Sequence, residues 1–167
     1  MTDIELYRLS ERVGEVLGTR GARLVTAESC TGGWIGEVVT MVPGSSGWYD
    51  RGFITYSNAA KRAVLGVAAQ TLLARGAVSE ATVIEMIDGA VRLSGAEYAV
   101  AVSGVAGPAG GSPEKPVGTV CIGWGSLEGL REAETFRFAG DREAVRRQSV
   151  IAALEGVIER VLRPALA

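Results

Sequence analysis

The feature that most constrains this fold is an alternation of two apolar patterns along the chain. Short continuous apolar runs, which suit strands buried on both faces, separate segments whose apolar residues recur at helical spacing. Thr2-Asp3-Ile4-Glu5 has the pattern of a capping box, and Leu6, Leu9, Val13, Val16 and Leu17 continue as a helix to about Arg20, where Gly21 stops it. Residues 23–26 read as a buried strand, and an apolar helix is expected from near Thr31 to about Met41. A turn cluster at residues 43–47 leads into a strand over residues 48–56. Asn58 is expected to cap a short helix running through Lys61 to Leu65, with another over residues 70–75. Ser79 caps a longer helix whose inward face is Val83, Met86, Ile87, Ala90, Val91 and Leu93. Strands are predicted over residues 98–102, 119–124 and 133–138. Asp141 caps a last helix with Val145, Val150, Ile151, Leu154, Val157, Ile158 and Val161 inward. No repeat or linker divides the chain. The order predicts one three-layer α/β/α domain with a mixed sheet over residues 1–167.

Composition excludes several function classes. The 167 residues carry 17 basic and 19 acidic side chains, a net charge of -2. That leaves no basic footprint for nucleic acid and no polybasic stretch for an anionic membrane. The apolar runs are far shorter than the ~20 residues of a membrane span. The N-terminus, Met1-Thr2-Asp3-Ile4-Glu5, lacks a signal-peptide pattern, so a cytoplasmic location is expected. Cys30 and Cys121 then read as free thiols. Histidine is absent. The commonest general base and metal ligand is therefore missing, and with only two separated cysteines no metal site is expected. Acid–base chemistry must fall to Lys, Tyr, Asp, Glu or Cys.

Three strand-to-helix loops are placed to hold a ligand: residues 27–33, 57–61 and 103–116. Ser29 precedes Gly32-Gly33, where backbone N–H groups can approach a ligand closely, as in an oxyanion hole or phosphate cradle. A capped helix with a tight turn meets the same pattern. Cys30 is a rival nucleophile at a helix N-terminus, or simply a buried thiol. Lys61, at the third helical position after Asn58, sits where the helix dipole and partial burial both disfavour an ammonium. Such an amine can serve as a base toward a serine hydroxyl; a solvated lysine is the alternative. Tyr56, at a strand end, could share protons with Lys61 or be an ordinary core-edge tyrosine, and Ser103, at another strand end, adds a hydroxyl. The segment from Gly104 to Gly111 lacks dinucleotide-binding spacing and suits a small polar ligand held by backbone contacts. Arg142 and Arg146, one turn apart, could pair with a phosphate or lie solvated.

Taken in order, residues 26–33 (Thr-Ala-Glu-Ser-Cys-Thr-Gly-Gly), 50–61 (ending Tyr-Ser-Asn-Ala-Ala-Lys), 76–80, 101–108 and 115–118 closely resemble the CinA C-terminal domain family. The resemblance covers nearly the whole chain, from Leu6 to Leu162, in what looks like a stand-alone form without the N-terminal domain of longer relatives. It implies hydrolysis of nicotinamide mononucleotide (NMN) to nicotinic acid mononucleotide and ammonia in pyridine-nucleotide recycling, with no cofactor. It implies Ser29 as nucleophile, Lys61 as base, and Tyr56 with Ser103 in the proton network. Cys30, Thr31, Gly32, Gly33, Asn58, Gly104, Gly107 and Arg142 would meet the substrate, the phosphate falling to Arg142 or the glycine-rich loop. Ser103 stands where the family usually has Thr, and Ala109 where Gly is common. A nucleotide-binding regulatory or competence-associated accessory domain without turnover, and an amidase for another pyridine or ureido substrate, are the competing expectations. Homo-oligomerisation is a base-rate expectation.

Overall fold

The structure, a computed structural model, describes residues 2–164. Met1 and residues 165–167, the ends of the expected domain, lie outside the described residues. The elements run α1 (Asp3–Arg20), β1 (Leu24–Glu28), α2 (Trp34–Thr40), β2 (Tyr49–Ile54), α3 (Asn58–Leu65), α4 (Ala69–Arg75), α5 (Glu80–Ser94), β3 (Tyr98–Gly104), β4 (Thr119–Ser126), β5 (Arg131–Arg137) and α6 (Arg142–Leu162). The capping box at Thr2 and Glu5 forms, and Gly21 ends α1 in the left-handed conformation.

The five strands lie in the order β2-β1-β3-β4-β5. β1 is parallel to both β2 and β3, and β4 and β5 are antiparallel additions. Residues alternate across the sheet because the strand period is two. Leu24, Val100, Val102, Val120, Ile122 and Trp124 face α1, α2 and α6. Val25, Ala27, Ala99, Ala101 and Cys121 face α3 and α5. The expected three-layer α/β/α arrangement with a mixed sheet is therefore present.

Small residues on the second face let its helices come close. A Cβ at Gly89 of α5 would lie 2.1 Å from the Leu65 carbonyl oxygen at the end of α3. This crossing needs glycine, and it sets the seat of the helix that carries Lys61.

Several local expectations shift. α2 starts at Trp34, not near Thr31, because Gly32 and Gly33 take φ of 61° and 100°, outside the helical region. Ser57, not Asn58, caps α3: its hydroxyl accepts from the Ala60 N–H, and Asn58 is already helical. β3 runs two residues beyond Val102, so Ser103 and Gly104 belong to the sheet. Leu93 is 41% exposed and does not join the inward face of α5.

Candidate active site

The chain passes from β1 to β2 on one side and returns to β3 on the other, so the strand order reverses at β1. Ligands of open α/β sheets sit outside the carboxyl ends of strands at such a point. The sheet ladder holds the three ends level. Glu28 pairs with both Ile54 and Val102. Beyond β1, the Ser29 N–H donates to the Val102 carbonyl (3.0 Å) and the Thr55 N–H to the Glu28 carbonyl (2.9 Å).

This register brings Lys61 to Ser29. Lys61 is 1% exposed, and its Nζ lies 2.8 Å from Ser29 Oγ, 2.8 Å from the Thr55 carbonyl oxygen and 3.3 Å from the Tyr56 carbonyl oxygen. Burial holds the amine below its ordinary value of 10.5, against a smaller opposing influence of Cys30. With Ser57 as the cap, Lys61 is the fourth helical residue, one position further from the helix terminus than expected from the sequence. Burial pushes the Cys30 thiol up to about 12, which disfavours the thiolate a nucleophile needs.

The turn after Ser29 is held by a residue that sequence reading passed over. Glu28 is 1% exposed, and its carboxylate accepts from Thr31 Oγ1 (2.7 Å) and from the N–H groups of Ile35 (2.8 Å) and Gly36 (3.0 Å). It caps α2 from the strand end, in place of the side chain that Gly33 lacks. The available signal was a carboxylate three residues before a threonine at the foot of an apolar helix.

An open cleft of about 340 Å³ lies over the pair, lined by Ser29, Cys30, Tyr56, Asn58, Lys61, Ser103, Gly104, Gly107 and Arg142 of the expected site. Ala77 and Val78, between α4 and α5, add an apolar wall not anticipated from the sequence. Ser103 is buried at the end of β3, and its hydroxyl has no hydrogen-bond partner among the described residues.

Other expected residues fall elsewhere. Thr31, Gly32 and Gly33 do not line the cleft. The Thr31 hydroxyl turns inward to Glu28, and the Gly32 N–H is taken by the Ser29 carbonyl (3.0 Å). Tyr56 is 61% exposed, and its phenol oxygen accepts from Arg142 Nη2 (3.0 Å). Its carbonyl, not its phenol, meets Lys61, and the exposed ring stands at the rim of the cleft. Arg142 Nη1 also donates to the Gly107 carbonyl (2.8 Å), tying α6 to the glycine-rich loop. Arg146 is engaged by the carbonyls of Cys30 and Thr31, not turned outward for a phosphate.

The fold and site together define an α/β protein with a buried serine–lysine pair at the switch point of a mixed sheet. Such a pair can activate a hydroxyl without imidazole. The chain belongs to the CinA C-terminal domain family, whose model matches residues 6–161. It is 52% identical over 163 residues to the nicotinamide-nucleotide amidohydrolase PncC of Escherichia coli (strain K12), covering 98% of this chain and 99% of that protein. It is 56% identical over 152 residues to the protein of the same name from Pseudomonas putida, covering 90% and 94%. Among solved structures, the competence damage-inducible protein A of Klebsiella pneumoniae subsp. pneumoniae MGH 78578 aligns with a TM-score of 0.92 at 42% identity, covering 96% of this chain and 99% of that one. A CinA-like protein of Syntrophobacter fumaroxidans is 49% identical over 87% of this chain, a match spanning 34% of its own length.

Proposed function

We propose that the chain hydrolyses the carboxamide of NMN, with Ser29 as nucleophile and Lys61 as its base. The relatives named nicotinamide-nucleotide amidohydrolase support the substrate, and the 2.8 Å approach of Lys61 Nζ to Ser29 Oγ carries the mechanism. A neutral amine has two N–H donors and one lone pair. The Thr55 and Tyr56 carbonyls take the donors, which leaves the lone pair for the Ser29 hydroxyl proton.

Ser29 Oγ attacks the carboxamide carbon as its proton passes to Lys61. The Lys61 ammonium then protonates the amide nitrogen, ammonia leaves and an ester to Ser29 remains. Water, deprotonated by Lys61, cleaves that ester to give nicotinic acid mononucleotide and free Ser29. With the N–H groups of Ser29 and Gly32 occupied, the Cys30 N–H and the Ser103 hydroxyl are the donors offered to the oxyanion. One such donor contributes roughly 3–4 kcal/mol. Arg142 has five N–H donors and uses two, so three remain for the phosphate at the cleft mouth. Asn58 and the glycine-rich loop border the path between. The reaction uses no cofactor and serves pyridine-nucleotide recycling in the cytoplasm.

The test is ammonia release from NMN beside nicotinamide, nicotinamide riboside and NAD, with and without EDTA. NMN should be preferred, EDTA should change nothing, and Ser29→Ala should abolish turnover. Saturable NMN binding without ammonia would make the chain a binding module instead.

A further inference from the structure

The Ser29 turn does not determine its own shape. Gly32 and Gly33 take φ of 61° and 100°, and glycine populates both signs of φ, so the backbone could swing unless it is held from outside. Glu28 holds it from the core side through the Thr31 hydroxyl and the start of α2. The opposite restraint comes from α6. Arg146 Nε donates to the Cys30 carbonyl (3.0 Å), and its Nη2 donates to the Thr31 carbonyl (3.1 Å). The guanidinium is itself seated, its carbon 5.3 Å from the centre of the Trp34 ring.

We propose that Arg146 is a positioning residue for the nucleophile turn, gripping two successive carbonyls so that Ser29 and the Cys30 N–H keep their places. The inference rests on the serine–lysine reading above. Thr31 is held at both ends, by its hydroxyl to Glu28 and by its carbonyl to Arg146. Cys30 is bracketed as well: the Ser29 N–H before it is tied to Val102, and its own carbonyl is tied to Arg146. Two neighbouring carbonyls match the planar fork of a guanidinium, and a lysine ammonium could reach only one with good geometry. Arg146 does not line the cleft, so it acts through the turn and not on the substrate.

Arg146→Ala and Arg146→Lys test this with three readouts. The first is kcat and KM for ammonia release from NMN. The second is the rate at which phenylmethanesulfonyl fluoride labels Ser29, an Oγ–S bond forming as fluoride leaves and the hydroxyl proton passes to Lys61. The third is add-back of methylguanidinium to Arg146→Ala, with methylammonium as control. Misplacing a reacting group by about 1 Å costs roughly 100-fold, so kcat of Arg146→Ala should fall by about that factor while KM stays within about threefold. Labelling should slow in parallel, and methylguanidinium, but not methylammonium, should restore at least about tenfold. Arg146→Lys should lose roughly tenfold. Wild-type kcat and labelling in Arg146→Ala, or failure of add-back in a variant that melts like the wild type, would overturn the proposal. If Arg146→Ala does not fold, wild-type labelling in Arg146→Lys overturns it equally. A wild-type protein that is labelled at Ser29 yet releases no ammonia from NMN sinks the substrate reading, and the labelling rates of the variants still decide the role of Arg146.

Discussion

Replacing Lys61 with methionine retains most of the buried volume and removes the amine. Lys61 is 1% exposed, its Nζ is 2.8 Å from Ser29 Oγ, and the chain has no histidine. Among the described residues, no carboxylate lines the cleft, so no second base stands ready. Positioned base catalysis contributes typically ~10²–10⁴-fold. At about 1.36 kcal/mol per decade, Lys61→Met should raise the barrier by about 3–5 kcal/mol. KM should change little, because the amine is spent on Ser29 and two carbonyls. The pH profile adds a second signature. The working base is the neutral amine, and burial lowers its pKa from 10.5. The wild-type kcat/KM should therefore climb tenfold per pH unit until it passes that lowered value, then level off. The methionine variant should be flat over the same range. Stability follows the same shift. Between the lowered value and 10.5 the unfolded chain binds a proton that the folded chain has released, so stability rises with pH across that window. Below the window the cost of burying the cation is carried in full; above 10.5 it is gone. Ammonia release and urea unfolding at several pH values check both. A methionine variant within tenfold of wild type, or one that keeps the acid limb, refutes the role assigned to Lys61.

Three further outcomes follow from the geometry. Glu28→Gln replaces an acceptor of three hydrogen bonds with an amide that turns an NH2 toward donors; it should cost about 1–3 kcal/mol in urea unfolding and lower kcat, and unchanged stability would contradict the cap. Gly89→Ala forces a Cβ to within 2.1 Å of the Leu65 carbonyl oxygen; it should destabilise by about 1–3 kcal/mol and reduce activity, since α3 must move with Lys61, and wild-type activity would show that the crossing does not set the site. Tyr56→Phe removes only the rim contact with Arg142, so KM for NMN should rise while kcat stays within about threefold; a large kcat loss would return the phenol to the proton network.

Much of this architecture was legible because its signals are local. The Thr2 capping box, the helical period of α1 and α6, and the Ser79 and Asp141 caps act within a few residues. Each was read from the sequence close to where it stands. Boundary errors arose where two local signals compete. Ser57 and Asn58 are both good caps, and it is Ser57 that is extended and accepts from the Ala60 N–H. Thr31 looks like a helix start, yet Gly32 and Gly33 turn left-handed and delay the helix to Trp34, where Glu28 caps it from the strand.

Ser29 and Lys61 could be named from residue type, spacing and family resemblance, without any measure of the distance between them. Their meeting across 32 residues of chain was decided by the parallel register of β1 with β2 and by the close crossing at Gly89. The tasks of Arg142, Arg146 and Tyr56 were likewise set in three dimensions, since an arginine on a helix reads the same whether it faces a phosphate, a carbonyl or water. Hydrophobic period and capping are properties of neighbours along the chain, so sequence alone determined the elements. Hydrogen-bond partners and burial depend on what other segments bring, so only the tertiary structure decided which amine is dry, which turn is held and which side chains meet the cleft.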